Sequence, residues 1–256
     1  MSEYILETKG LTRRFGGLVA VDSVDMTMKP GELVGLIGPN GAGKSTFFNC
    51  LTGFYPPSEG EVRFMDSPIT GLKPYQVAKL GIGRTFQNLR IMPNMTVFDN
   101  VSVGAIGSLG HSLRRAIWPF RCSTDEEISS RTWDILKRVG LDGQAGELAA
   151  NLSYGRRKYL EIARAMATNP KLLILDEPAA GLNEQETGEL ADFIGELNSE
   201  GVPILLVEHD MGLVMGICHR VMVLALGKKI ADDTPQSVQK DPAVLEAYLG
   251  GEECQY

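Results

Sequence analysis

The residues Gly38-Pro39-Asn40-Gly41-Ala42-Gly43-Lys44-Ser45-Thr46 fit the pattern G-x-x-x-x-G-K-[ST]. Glycines let the backbone curl so that successive N–H groups converge on phosphate oxygens. Lys44 adds a full positive charge near the β- and γ-phosphates, and the Ser45 hydroxyl is a hard oxygen ligand suited to Mg2+. A second chemical feature is Leu172-Leu173-Ile174-Leu175-Asp176-Glu177-Pro178, an apolar run ending in two carboxylates. Asp176 can hold Mg2+ through water beside such a loop. Side chains alternate along a strand, but Glu177 lies where the strand ends, so it can face the γ-phosphate and polarise an attacking water. Taken singly, the loop could be a chance match in a Gly-rich chain and the Asp-Glu pair a solvated turn. Together they point to nucleotide binding and hydrolysis.

The elements flanking these residues are those the chemistry needs. Leu33–Ile37 is a short continuous apolar run, read as a buried strand leading into the loop, and a helix follows from about Gly43 to Leu51. That helix would turn its positive N-terminal end toward the phosphates. Tyr4–Leu11 and Leu18–Met28 read as strands around a Gly16-Gly17 turn, with Glu61–Phe64 and Ile82–Thr85 as further strands. Residues 97–150 read differently, as helices, with Asp125–Val139 placing Ile128, Trp133, Ile135 and Leu136 on one face. Alternation then resumes: helix Arg157–Ala167, strand Leu172–Leu175, helix Glu184–Leu197, strand Ile204–Val207. Alternating helices and apolar strands predict an α/β core, a parallel sheet covered on both faces.

With these residues in place, the chain resembles the ABC ATPases over nearly its whole length. Leu152-Ser153-Tyr154-Gly155-Arg156 is similar to that family's signature LSGGQ, with Tyr154 and Arg156 departing from it. Alone, the segment is a weak signal and Ser153 reads more readily as a simple helix N-cap. The resemblance implies that Ser153 and Gly155 contact the γ-phosphate held by the other subunit. It implies that Gln87 contacts Mg2+ or its water and links the core to the helical subdomain, that His209 senses the γ-phosphate, and that Phe15 stacks on adenine. Asn183 stands where an Asp is common. The implied fold is a P-loop ABC ATPase core with a parallel sheet, an antiparallel β subdomain and an inserted helical subdomain. On that reading 1–96 and 151–256 form the catalytic core and about 97–150 the helical subdomain of a single domain. The catalytic set is Glu177, His209, Gln87 and Lys44. Phe15, Gly38 to Thr46, Ser153 and Gly155 bind ATP, and Ser45, Gln87 and Asp176 bind Mg2+.

Composition bounds the alternatives. The chain has 256 residues, 43% hydrophobic and 22% charged, with formal net charge −7, which argues against broad nucleic-acid binding. Cys50, Cys122, Cys218 and Cys254 show no CxxC spacing, so neither a disulfide framework nor a zinc site is expected. The N-terminus has no signal-peptide pattern, and even Val214 to Leu226 is interrupted by His219 and Arg220. No N-K-x-D base-reading motif favours a GTPase, and a small-molecule kinase would leave the LSYGR segment unexplained.

Finer details resemble the longer ATPase of branched-chain amino acid importers: Arg14 to Val21, Arg84-Thr85-Phe86-Gln87-Asn88, Leu206 to Met211 and the ending Glu246-Ala247-Tyr248-Leu249-Gly250. An insertion around residues 107–123 fits that longer form, and its basic, aromatic part, Leu113 to Arg121, is either a membrane or permease contact or an exposed extension. The resemblance implies a peripheral protein on the cytoplasmic face of the inner membrane. Its partners would be two permease subunits, a second ATPase subunit, either a copy of this chain or a different one, in a head-to-tail ATP sandwich and, indirectly, an extracytoplasmic solute-binding protein. Urea or amide importers, lipopolysaccharide export and non-transport ABC ATPases share much of the pattern.

Overall fold

The computed structural model describes residues 3–108 and 122–249. The basic aromatic segment 113–121 and most of the insertion around 107–123 lie outside the described residues. Two sheets organise the chain. Strands β1 (Leu6–Phe15), β2 (Leu18–Met28), β4 (Glu59–Phe64) and β5 (Ser67–Pro68) form an antiparallel sheet in the order β2-β1-β4-β5. The second sheet has six strands in the order β10-β9-β3-β8-β7-β6. They are β3 (Leu33–Ile37), β6 (Ile82–Arg84), β7 (Leu172–Asp176), β8 (Ile204–Val207), β9 (Arg220–Ala225) and β10 (Lys228–Asp233). All pairings in it are parallel except the edge strand β10, which returns antiparallel on β9.

The central strands are buried on both faces, which is why they read as uninterrupted apolar runs. Leu33 and Ile37 of β3, Leu173 and Leu175 of β7, and Ile204 and Leu206 of β8 face one core. The residues between them, such as Val34, Leu172, Ile174 and Leu205, face the other. The first core is closed by α3 (Val97–Ser108), α4 (Cys122–Arg138), α5 (Tyr154–Ala167), α6 (Glu184–Ser199) and α7 (Met211–Ile217). The second is closed by Phe47, Phe48 and Leu51 of α1 (Lys44–Leu51) and by the antiparallel sheet, with Val77 of α2 (Pro74–Leu80) at its margin.

Several sequence boundaries shift. β1 runs four residues past Leu11 to Phe15, carried by register irregularities between Thr8 and Arg14. α5 begins at Tyr154 rather than Arg157, because Ser153 caps it by accepting a hydrogen bond from the Arg156 N–H at 3.4 Å. In α4 the buried face holds Thr132, Ile135 and Leu136, with Val139 buried just past its end, whereas Trp133 is exposed and leans on Phe98 at 5.3 Å between ring centroids. The apolar stretch from Val214 divides into the end of α7 and strand β9. Among the described residues no helix is long and apolar enough to cross a membrane.

Candidate nucleotide site

At the end of β3 the chain enters the glycine-rich loop and leaves it as α1. Gly38 has φ +150°, and a Cβ there would lie 2.1 Å from the Leu224 carbonyl oxygen of β9, so the first turn of the loop admits only glycine. No side chain caps α1 at Gly43, so its first N–H groups remain for an anion. Lys44 is buried and donates to the Gly38 carbonyl at 2.5 Å and the Pro39 carbonyl at 3.1 Å. Burial lowers its pKa, an effect the charge of Glu177 opposes. A phosphate placed in the loop would give this ammonium a partner in exchange for two neutral carbonyls.

The loop is one wall of a cavity of about 640 Å³. Its lining divides by chemistry into the loop residues Asn40 to Thr46 with Gln87 and Glu177, and the apolar Phe15, Leu18, Val19, Ala20 and Leu226. That division suits a triphosphate and a base. Phe15 is 40% exposed, with Tyr55 edge-on at 5.4 Å and the Arg13 guanidinium 4.6 Å from its ring centre.

Asp176 ends β7, and its N–H donates to the Thr85 hydroxyl at 3.1 Å. Burial pushes its carboxyl up to about 6, opposed by Arg84, whose guanidinium is 3.6 Å away, and reinforced by Glu177. Asp176, Ser45 and Gln87 line one further cavity of about 270 Å³. Their oxygens are hard donors, and a cation beside the desolvated Asp176 would reverse the penalty on its charge. Among the described residues no group of three His, Cys, Asp or Glu could hold a metal unaided. The donor set therefore fits Mg2+ shared with phosphate and water rather than an all-protein cage.

Glu177 has φ +46°, the left-handed region, which breaks the strand alternation and turns its side chain to the cavity. Bonds from four directions hold this conformation. Its N–H donates to Val207 O at 2.8 Å, and its carbonyl accepts from Lys158 Nζ and the Ala180 N–H, both at 3.2 Å. Its Oε2 accepts from Gln87 Nε2 at 2.8 Å, which leaves the Gln87 amide oxygen as an acceptor. His209 Nδ1 stands 3.8 Å from the same Oε2.

Ser153 and Gly155 do not line this cavity. Ser153 is the N-cap of α5, and a Cβ on Gly155 would lie 2.9 Å from Glu186 Oε1, so the missing side chain makes room within the chain itself. Tyr154 lies against the loop after β7, its hydroxyl donating to Ala180 O at 3.2 Å. Arg156 reaches the Gly140 carbonyl at 2.9 Å. Asn183 caps α6 in a reciprocal pair with Glu186, at 2.9 Å and 3.0 Å.

Three side chains around the site carry no role in the sequence reading. Arg84 is enclosed by the rings of Phe48, Phe54 and Phe86, with hydrogen bonds to Asn49 and Thr52. Lys158 is 2% exposed, and burial lowers its pKa against the attraction of Glu161, Glu208, Glu177 and Asp176. Glu208 has no exposed surface. The available signal was weak: a charge standing within apolar spacing, Lys158 between Leu152 and Ile162 and Glu208 directly after Ile204–Val207.

A third cavity, of about 360 Å³, opens between α2 and β6 on one side and α3 and α5 on the other, with Phe54, Tyr75, Arg84, Phe86, Arg90 and Arg164 on its walls.

The fold is shared with known proteins. Residues 21–180 match the family model described as ABC transporter. Residues 228–254 match that described as branched-chain amino acid ATP-binding cassette transporter. The chain is 47% identical over 255 residues to the high-affinity branched-chain amino acid transport ATP-binding protein LivG of Escherichia coli (strain K12), covering 98% of this chain and 99% of that one. A crystal structure of the ADP conformation of MJ1267, an ATP-binding cassette of an ABC transporter, superposes with a TM-score of 0.86 at 33% identity, covering 97% and 100% of the two chains. MJ0796, an ATP-binding cassette solved as a dimer in a post-hydrolysis state with ADP and Pi, superposes with a TM-score of 0.75 at 26% identity, over 90% and 98%.

Proposed function

The chain belongs to the ABC transporter ATP-binding family, in its branched-chain amino acid importer type, and from that premise we propose how its ATP hydrolysis is performed and what it drives. ATP lies in the cavity of the glycine-rich loop, its base against Phe15 and its phosphates on the N–H groups of Gly38 to Thr46. Lys44 exchanges its loop carbonyls for β- and γ-phosphate oxygens. Ser45, Asp176 and Gln87 would hold Mg2+, which when bound would neutralise charge on the phosphates. Phosphoryl transfer needs little covalent help from the protein, so positioning dominates. Glu177 orients a water in line with the γ-phosphorus and takes its proton on a carboxylate oxygen. His209, on the neighbouring strand end, contacts the γ-phosphate.

The single observation that carries this reading is the convergence of Lys44, Gln87 and Glu177 on one cavity that is also lined by Phe15 and other apolar side chains suited to a base. A head-to-tail pair completes each site with the partner copy's counterpart of the Ser153–Gly155 segment. That segment lies away from the chain's own cavity and at a helix N-terminus, where an anion is favoured. The arrangement of MJ0796 as a dimer supports the pairing. The cavity walled by Phe54, Tyr75, Phe86 and Arg164 receives a cytoplasmic segment of one permease, and the helical subdomain at about 97–150 moves with it. The protein then sits peripherally on the cytoplasmic side of the inner membrane, with two permeases, a second ATPase and an extracytoplasmic binding protein.

Gentle-detergent isolation of the tagged chain from its native membranes, with mass spectrometry of what accompanies it, tests the assignment. Two permeases, a second ATPase and an amino-acid-binding protein are the expected set. Recovery with lipid-export components, or with urea-importer permeases, would overturn the branched-chain amino acid reading.

A further inference from the structure

We infer that Glu208 is a positioning residue: its buried carboxylate fastens the loop carrying Glu177 to the loop carrying His209 and so sets the spacing between them. The inference rests on the reading of Glu177 and His209 as the groups at the γ-phosphate. Strands β7 and β8 are paired through Leu175 with Leu206 and Asp176 with Val207, and the Glu177 N–H still reaches Val207 O at 2.8 Å. There the ladder ends, just before the two reacting side chains must be aimed. Among the described residues, the next hydrogen bond between the two segments is made by a side chain. Glu208 Oε1 accepts from the Ala179 N–H at 2.8 Å, two residues past Glu177. Its Oε2 accepts from the His209 N–H at 3.0 Å and the Asp210 N–H at 3.5 Å.

The position calls for a carboxylate. Glu208 follows four buried apolar residues, Ile204 to Val207, and is itself without exposed surface. A hydrophobic side chain would fill the site without the cost of desolvating a charge. Two oxygens aimed at two loops do what no aliphatic side chain can, and bonds to an ionised acceptor are short and strong. Glu177 supplies the need, since its left-handed backbone has to be held from outside. Lys158 grips that backbone at the Glu177 carbonyl, and Glu208 grips it at Ala179. Lys158 also lies close enough to Glu208 for their charges to attract.

Glu208→Gln keeps the shape but has one accepting oxygen, so it can serve one loop while its NH2 opposes the other N–H. The test is made on the purified full chain with two independent readouts. In nucleotide-free protein, amide hydrogen exchange should quicken about tenfold or more on the side that loses its acceptor, at Ala179 or at His209 and Asp210, with Leu36 and Leu206 unchanged. In MgATP hydrolysis, kcat should fall about 100-fold with KM held within about twofold, the pattern of a misaimed group rather than a lost binding contact. The losses from Glu208→Gln and His209→Ala should combine to less than their product, because one acts through the other. Unchanged exchange at Ala179 and His209, or a kcat within about twofold of wild type, would overturn the inference. A wild-type chain without turnover would count against the ATPase reading, and the exchange readout would still decide the clamp. Should Glu208→Gln fail to fold, Glu208→Asp, too short to span both loops, is expected to fold and show the same quickened exchange. Wild-type exchange in that variant would equally refute the clamp.

Discussion

Replacing Asp176 by asparagine should stabilise the nucleotide-free protein at neutral pH. Asp176 is 8% exposed, and burial raises its carboxyl from 3.8 to about 6 even though Arg84 pulls the other way. At about 1.4 kcal/mol per tenfold, ionising it in the folded state costs about 3 kcal/mol relative to the unfolded chain. The attraction of Arg84 is already inside that balance. Because the folded-state value lies above the ordinary one, the native state holds the extra proton between about pH 4 and about pH 6. Stability from this group is therefore present at the acid end and lost as pH rises through that window. Asparagine never ionises, and its amide oxygen can still accept from the Gln87 N–H, which now bonds the carboxylate. Arg84 keeps its bonds to Asn49 Oδ1 at 3.0 Å and Thr52 Oγ1 at 2.8 Å. Urea denaturation of metal-stripped, nucleotide-free protein at about pH 4 and about pH 7.5 measures the effect. The midpoint of Asp176→Asn should lie about 1 M above wild type at the higher pH and close to it at the lower. MgATP should add less stability to the variant than to wild type, since the carboxylate kept at a cost to the fold is the one proposed to face the cation. A variant no more stable at neutral pH, or a gap of the same size at both pH values, would refute the reasoning.

Gly38→Ala should lower stability by more than about 3 kcal/mol and abolish nucleotide binding, because its Cβ would meet the Leu224 carbonyl at 2.1 Å. Melting and equilibrium binding check this, and a wild-type melting point would contradict it. Cys50 and Cys218 should resist alkylation in the native protein, since burial pushes their thiols up to about 11 and about 12. Mass spectrometry after brief iodoacetamide treatment reads the outcome, and modification of either site without denaturant would contradict the buried placement. Phe15→Ala should weaken ATP binding by about 1–3 kcal/mol while changing kcat little, the mark of lost base stacking. An unchanged KM would remove Phe15 from the base site.

The parts of this fold that were legible in the sequence are those fixed by local pattern. Leu33–Ile37, Leu172–Leu175 and Ile204–Val207 read as buried strands because both their faces are covered, and each feeds directly into a chemical residue. Elements without such patterns were missed. Helix α2 is short and begins at Pro74, and β10 is a half-exposed edge strand whose partner β9 merges in sequence with the apolar end of α7. For the candidate site, the loop residues and the strand-end carboxylates could be placed from spacing. Glu208, Lys158 and Arg84 could not, because their partners are set by tertiary approach. Glu208 meets Ala179, Lys158 meets the Glu177 carbonyl, and Arg84 meets Thr52, each far along the chain. Ser153 shows how two sequence readings coexist. It caps α5 in this chain, and that same helix N-terminus is what the proposed dimer presents to phosphate.

The most direct test of the account is MgATP turnover by Glu177→Gln beside wild type, with nucleotide affinity measured on both. Glu177 Oε2 already holds the Gln87 amide at 2.8 Å beside His209, and glutamine preserves that shape without a base. The account predicts wild-type affinity with kcat reduced by about 100-fold or more, and an accumulated ATP-bound dimer. Turnover within about twofold of wild type would show that Glu177 is not the group that activates the attacking water.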